Sequence, residues 1–184
     1  MFYQSLTFLP LKPDSVIIEP ATSEVLDEVL AIEQACFSAP WTRKMLAAEL
    51  SGNQFAHFLI AKCPDPLSGS LAVAGYFCFW VVFEEVRLMN LAVLAPFRRQ
   101  GVATRLVCAA LRTGLQRGAS RAMLEVRASN QEARSLYDRL GFRQTATRAR
   151  YYVNPEEDAV LMEMAPLQVS ALCGQPGASV SGNG

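Results

Sequence analysis

The sequence predicts an α/β domain built on a mixed, mostly antiparallel sheet of about seven strands, flanked by about four helices. Three observations carry this. Apolar runs rich in β-branched and aromatic residues recur through the first half, separated by short turn signals, as in a hairpin meander. Two clean helical stripes occupy the second half, each preceded by a strand-like run. The helix between two of those runs makes the later strand parallel to the earlier one, because a crossover returns the chain to the same end of the sheet.

In order, Val16-Ile17-Ile18 reads as a short strand ended by Pro20. Thr22 or Ser23 can cap a helix to about Ala35 with Val25, Leu26, Val29, Leu30 and Ile32 as its stripe. Pro40 breaks the chain, and Thr42 can cap a short helix through Leu50. Phe55 to Cys63, Leu71 to Phe83 and Val86 to Val93 read as strands, divided at Pro64 to Gly69 and at Glu84-Glu85.

Gly101 to about Arg117 is amphipathic, with Ala103, Leu106, Val107, Ala110, Leu111 and Leu115 on one side and Gly118 as the C-terminal cap. Ala122 to Val126 follows as a strand. Ser129 to Glu132 fits a capping box for a helix whose stripe is Ala133, Leu136, Tyr137 and Leu140, stopped by Gly141. Gln144 to Tyr152 and Ala159 to Met164 complete the sheet. The expected domain is 15–166. Residues 1–14 are expected to be loose, and 167–184, rich in Pro, Gly, Ser and Ala, to be a flexible tail.

At 184 residues, 51% hydrophobic and 18% charged, the chain is an ordinary globular sequence. No apolar run is long enough to span a membrane, and the first residues lack the basic and apolar regions of a secretory signal. A cytoplasmic location is expected. Five scattered cysteines without a CxxC pair argue against a disulfide framework or a zinc site, so no metal is expected. His57 is the sole histidine, which leaves little material for His-based catalysis.

Net charge is zero, yet thirteen of the 17 Lys and Arg residues lie between Arg87 and Arg150, against three acids. That excess of ten points to an anionic ligand. No interleaved aromatics or recognised binding motif suggests nucleic acid, so a phosphorylated cofactor fits better. Arg98-Arg99-Gln100-Gly101-Val102-Ala103 stands where a strand gives way to a helix, and a helix start suits a pyrophosphate. On these residues alone a solvated basic turn is equally consistent. P-loop and Rossmann motifs are both missing.

This turn, following Asn90-Leu91-Ala92-Val93, resembles the acyl-CoA signature of the GNAT superfamily of N-acetyltransferases. The later run Leu124-Glu125-Val126-Arg127-Ala128-Ser129-Asn130, with Leu136-Tyr137 and Leu140-Gly141-Phe142, is similar to one branch, the RimI-type ribosomal-protein-alanine N-acetyltransferases. The resemblance covers about Val16 to Met164. It implies a GNAT fold with splayed central parallel strands and acetyl-CoA as co-substrate. The pantetheine arm would pair with Leu91, Ala92 and Val93, and the pyrophosphate would rest on Arg99, Gln100, Gly101, Val102, Ala103 and Thr104. The family often has glycine at Ala103 and an acid at Leu94; these departures touch local loop geometry.

Acetylating an amine at neutral pH requires removal of a proton from a group of pKa about 8 for an α-amine or 10.4 for lysine. Glu125 interrupts an apolar strand and needs a partner or a task; an arginine mate on a solvent-facing side would also satisfy it. The resemblance makes Glu125 the proton acceptor and Tyr137 the proton donor to the leaving thiolate. It places Asn130 near the pantetheine or thioester, although a simple capping role fits Asn130 as well. For the acceptor it points to Trp41 and to Tyr151-Tyr152, where packing roles remain open. The implied acceptor is a protein N-terminus, above all the alanine of a small-subunit ribosomal protein. A small-amine acetyltransferase is the first rival; a polyamine site would call on acids such as Glu33, Glu84 and Glu85. A non-catalytic CoA-binding module is the second. Oligomeric state is not legible in the sequence.

Overall fold

The computed structural model describes residues 15–65, 68–169 and 171–173. The expectations for residues 1–14, the Pro66-Leu67 turn and the tail beyond 173 therefore lie outside the described residues. Seven strands form one sheet in the order β1-β2-β3-β4-β5-β7-β6. They are β1 (Ile17–Pro20), β2 (Ala56–Pro64), β3 (Leu71–Val82), β4 (Glu85–Val93), β5 (Arg121–Arg127), β6 (Arg143–Val153) and β7 (Glu156–Met164). The helices are α1 (Leu26–Cys36), α2 (Arg43–Gly52), α3 (Val102–Gln116) and α4 (Gln131–Leu140). As the spacing predicts, β2 to β4 form an antiparallel meander and β4 pairs with β5 in parallel. No helix among the described residues is long and apolar enough to cross a membrane.

Two apolar layers sandwich the sheet. One gathers Leu106, Val107 and Leu111 of α3 and Leu136 and Leu140 of α4 against Phe77, Phe79, Val86, Leu88, Leu124 and Val126. The other sets Val29 and Ile32 of α1 and Leu46 of α2 against Phe58, Ile60, Tyr76, Cys78 and Ala92. At Gly114 helix α3 lies so close to β4 that an added Cβ would stand 2.2 Å from Val86 Cγ2.

The feature that shapes the site is an irregularity in β4. Its register against β3 runs Phe79 to Leu88 and then Cys78 to Asn90, so Met89 is an extra residue. Such a bulge shifts the alternation of side chains by one and bends the strand. Val86 and Leu88 before it, and Leu91 and Val93 after it, consequently face the same α3 layer, while Asn90 and Ala92 face α1. Parallel pairing with β5 covers only Glu85 to Leu88 against Arg121 to Leu124. Beyond that point the strands part, which is the splay implied by the family resemblance.

Three expectations need correcting. Neither Thr22 nor Ser23 caps α1, because Ser23–Val25 winds as a tighter 3-10 turn and the α-helix begins only at Leu26. The capping box at Ser129 is displaced by one residue: Asn130 is the cap, its Oδ1 accepting from Ala133 N at 3.1 Å. Glu132, freed from that role, pairs with Arg99 instead. Lastly, Cys108 and Cys173 form a disulfide across a separation of 65 residues. Scattered spacing argues against a disulfide framework, yet folding brings α3 and the C-terminal segment together: Leu167 is buried in the α3 layer and the Cys173 carbonyl accepts from Arg112 Nη2 at 2.6 Å. The described parts of the expected tail, 167–169 and 171–173, are thus tied to the domain through Leu167 and Cys173.

Candidate active site

A cleft of about 950 Å³ opens where β4 and β5 diverge. Of the residues singled out by sequence, Trp41, Leu91, Glu125, Asn130, Tyr137, Tyr151 and Tyr152 line it. Ala92, Val93 and Arg99 to Thr104 do not; Ala92 and Val93 are buried, and Val102 is buried at the start of α3.

Glu125 is placed by strand alternation. Its neighbours Leu124 and Val126 point into the α3 and α4 layer, which turns Met123, Glu125 and Arg127 to the opposite face. There the Glu125 carboxylate meets Arg148 Nη1 at 2.6 Å. It also accepts the Tyr151 hydroxyl, a bond that is the main reason the Tyr151 pKa is raised.

Tyr137 comes from the other side of the sheet. It lies on the apolar face of α4, 7% exposed, edge-on to Phe142 with ring centroids 5.6 Å apart. Desolvation by burial, then the nearby Tyr152, push its pKa well above the usual phenol range. The phenol is therefore a firmly protonated group at neutral pH.

The wall carrying Tyr151 and Tyr152 owes its shape to β6. Between Arg148 and Tyr152 the register against β7 advances only from Ala159 to Glu157, so β6 bulges. Arg150, with φ 52°, donates its N–H to Asp158 Oδ1 at 2.8 Å within that bulge. Broken alternation lets Arg148, Tyr151 and Tyr152 all face the cleft. The Arg127 guanidinium lies 4.2 Å from the Tyr152 ring centroid and pairs with Glu157 at 3.3 Å. The Ser129 N–H donates to Glu157, which holds that carboxyl below its ordinary value.

The donor side fits a phosphorylated carrier. Gly101, at φ 80°, caps α3 without any side chain, and the first turn of α3 holds no acid. The partial positive end of the helix is left to an anion, as a pyrophosphate requires. Arg99, also left-handed at φ 62°, reaches Glu132 on α4 at 3.0 Å, while Arg98 Nε folds back to the Val93 carbonyl at 2.8 Å. The two adjacent arginines therefore serve different ends, one exposed at the helix start and one clasping β4. No group of His, Cys, Asp or Glu among the described residues is arranged to hold a metal.

Sequence reasoning assigns no role here to Tyr76, Asn90 or Arg148, and it considers Glu33 only as one acid of a polyamine site. Glu33 is 1% exposed, and its carboxylate accepts from Trp41 N, the Tyr76 hydroxyl and Asn90 Nδ2. Helical spacing could have found it, since Glu33 stands four residues after Val29 on the buried stripe. Asn90 likewise interrupts an apolar strand. Arg148 carries no local signal. Glu84 and Glu85 do not line the cleft; Glu85 pairs with Arg87 and Arg121 at the start of the strands.

The sheet is split between its parallel strands β4 and β5, with the glycine-headed helix α3 behind the split. A model of the acetyltransferase (GNAT) family matches residues 26–142. The chain is 33% identical over 151 residues to the ribosomal protein bS18-alanine N-acetyltransferase of Haemophilus ducreyi, covering 80% of this chain and 99% of that protein. It is 33% identical over 135 residues to the Escherichia coli enzyme of the same name, covering 72% and 86%. The crystal structure of the ribosomal-protein-S18-alanine N-acetyltransferase from Escherichia coli superposes with a TM-score of 0.72 at 28% identity, over 84% of this chain and 96% of that one. Arabidopsis thaliana NAA60 in complex with acetyl-CoA shares the fold, with a TM-score of 0.72 at 17% identity over 82% and 98%. The chain belongs to the acetyltransferase (GNAT) family, and its activity is N-acetyl transfer from acetyl-CoA.

Proposed function

We propose that the acceptor is the α-amino group of a protein N-terminus, with the N-terminal alanine of a small-subunit ribosomal protein as the physiological target. The observation that carries the chemistry is the pairing of a carboxylate and a buried phenol across one cleft, Glu125 from one face of the sheet and Tyr137 from the other. Relatives with a third of their residues identical bear the name of that ribosomal target. Cleft lining favours a peptide over a polyamine: Glu33, Glu125 and Glu163 are balanced by Arg87, Arg127 and Arg148, and aromatic walls stand at Trp41 and Tyr151-Tyr152. The cytoplasm is the compartment this acceptor implies.

In this reading the neutral amine attacks the thioester carbon, a C–N bond forms and the C–S bond breaks. Glu125 accepts the proton given up by the amine, directly or through water, once Arg148 yields its place. Tyr137, held protonated by its apolar surroundings, donates to the departing sulfur. Leu91, Ala92 and Val93, lying beyond the last β5 pairing, would hold the pantetheine arm as an added strand. Arg99 to Thr104 would hold the pyrophosphate, and Asn130 would stand beside the thioester as well as capping α4.

The test is thiol release from acetyl-CoA against peptides that start with Ala, Ser or Met, together with N-blocked peptides containing lysine. Release with the free N-termini and not with the blocked peptides is the expected result. Equal rates on blocked lysine peptides would overturn the N-terminal reading, and release only with small amines would replace it.

A further inference from the structure

Glu33 sits in the middle of a buried polar cluster that ties three separate parts of the acceptor wall together. Its Oε1 accepts from Trp41 N at 2.7 Å and from Asn90 Nδ2 at 3.2 Å. Its Oε2 accepts from Asn90 Nδ2 at 3.0 Å and from the Tyr76 hydroxyl. Asn90 Nδ2 lies 2.8 Å from the Tyr76 oxygen. The three donors come from the loop between α1 and α2, from β3 and from β4 just past its bulge. Burying a carboxylate among apolar residues is costly without such partners.

The connection from Phe37 to Thr42 lines the cleft with Phe37, Ser38, Ala39 and Trp41, and no strand among the described residues pairs with it. Phe37 N is bonded to the Glu33 carbonyl at its start, and Thr42 caps α2 at its end. Between these ends, Trp41 is fixed by its N–H bond to Glu33 together with the packing of its side chain against the α1–α2 layer. Asn90 faces Glu33 only because Met89 resets the alternation of β4. The bulge that parts the strands thus also aims the group that locks the loop.

We propose that Glu33 is a positioning residue for the acceptor: through Trp41 N and Asn90 it holds the α1–α2 loop against the splayed strand, and so sets the shape of the acceptor mouth. It acts through these neighbours and takes no proton in the reaction. The inference rests on the reading of the cleft mouth as the acceptor site.

Glu33→Gln tests it. The new amide group meets the Asn90 amide and the Tyr76 hydroxyl donor to donor, so the lock loosens. The expected outcome is a KM for the acceptor raised about tenfold, the scale of one or two lost buried hydrogen bonds. KM for acetyl-CoA and kcat should stay within about threefold, because the side-chain bonds of Glu33 reach neither α3 nor Glu125 and Tyr137. Hydrogen exchange at the Trp41 amide should accelerate. The exchanged pair Glu33→Gln with Asn90→Asp restores complementary donors and acceptors. In that pair the introduced amide accepts from Trp41 N through its oxygen and donates through its nitrogen to the new carboxylate. Both readouts should return toward wild type.

Unchanged acceptor KM and unchanged exchange in Glu33→Gln would overturn the proposal. So would a double variant that regains thermal stability but not acceptor KM. If Glu33→Gln does not fold, Tyr76→Phe removes a single donor and should show the same split at smaller size; equal changes in both KM values there would reject it. Should the wild type acetylate only small amines, the N-terminal reading fails, and Trp41 amide exchange in the variants still decides whether Glu33 locks the loop.

Discussion

Glu125 and Tyr137 reach one cleft from opposite faces of the sheet. Leu124 and Val126, on either side of Glu125, are packed in the same layer as Tyr137, whereas Glu125 itself turns to Arg148 and Tyr151 on the far face. Two groups on one face would compete for the same side of a substrate. Placed on opposite faces of a split sheet, they can address the attacking and leaving atoms separately, which is what a direct transfer demands.

Replacing either group should therefore affect turnover far more than folding. Glu125→Gln and Tyr137→Phe are each expected to lower kcat/KM by about 10²–10⁴-fold. Glu125 is partly exposed, and the phenyl ring of Tyr137→Phe keeps its place against Phe142, so melting curves should change little. Steady-state kinetics beside circular-dichroism melts check both halves. Activity near wild type in both variants would remove the assignment.

Alkaline stability follows from two buried phenols. Burial, with the Glu33 hydrogen bond, raises the Tyr76 pKa far above its ordinary value, and burial raises that of Tyr137. In the unfolded chain both ionise near pH 10. Below that pH the groups are neutral in both states and their contribution is intact. As pH rises through about 10, only the unfolded chain loses protons, so stability falls. The buried thiols of Cys63 and Cys78, also raised by desolvation, act in the same direction. Urea midpoints measured from pH 8 to 11 should drop, and the double variant Tyr76→Phe with Tyr137→Phe should flatten that drop.

The proposed donor site should separate from the proposed acceptor site in kinetic terms. Arg99 is exposed at the turn before α3 and its present partner Glu132 is itself exposed, so an anion can displace that pair at little cost. Arg99→Ala should raise KM for acetyl-CoA about tenfold and leave KM for the acceptor within about twofold. Added salt should weaken acetyl-CoA binding in the wild type more than in the variant. At Gly101 an added Cβ meets nothing within 4 Å, so Gly101→Ala carries only the backbone cost of φ 80°, about 1–2 kcal/mol, seen in thermal denaturation.

Much of this is legible in the sequence because it is written in local patterns. The α3 stripe, the Thr42 cap and the meander of β2 to β4 depend on neighbours a few residues apart. Glu125 and Tyr137 stand out through the resemblance, and the cleft brings them together with Trp41, Asn130, Tyr151 and Tyr152. What escapes depends on contacts distant in sequence. Arg148 is 23 residues from Glu125, and Asn90 is 57 from Glu33. Neither the Met89 bulge nor the bulge in β6 has a glycine or proline to announce it, yet each decides which side chains face the cleft. The Asn130 cap is hidden because Ser129 offers an equally good pattern one residue earlier, and only the Asn130 hydrogen bond to Ala133 N distinguishes them.

The C-terminal segment provides the last test, because composition and packing disagree about where the domain ends. Pro, Gly and Ser after Ala165 suggest a tail, but Leu167 is 7% exposed and its Cδ2 lies near Gly114, where α3 packs on β4. Leu167 N also donates to the Ser120 carbonyl at 2.6 Å, and Cys173 is joined to Cys108 on α3. Removing a buried leucine costs about 2–5 kcal/mol, and a bridge closing a long loop contributes about 2–4 kcal/mol. Truncation after Cys173 should then leave both the melting temperature and kcat/KM unchanged. Truncation after Pro166 should lower the melting temperature by about 10–30 °C. Cys108→Ser should give a smaller loss, matched in the wild type by a thiol reductant. A chain ending at Pro166 that melts with the full chain would show that Leu167 and the bridge add nothing to the α3 layer.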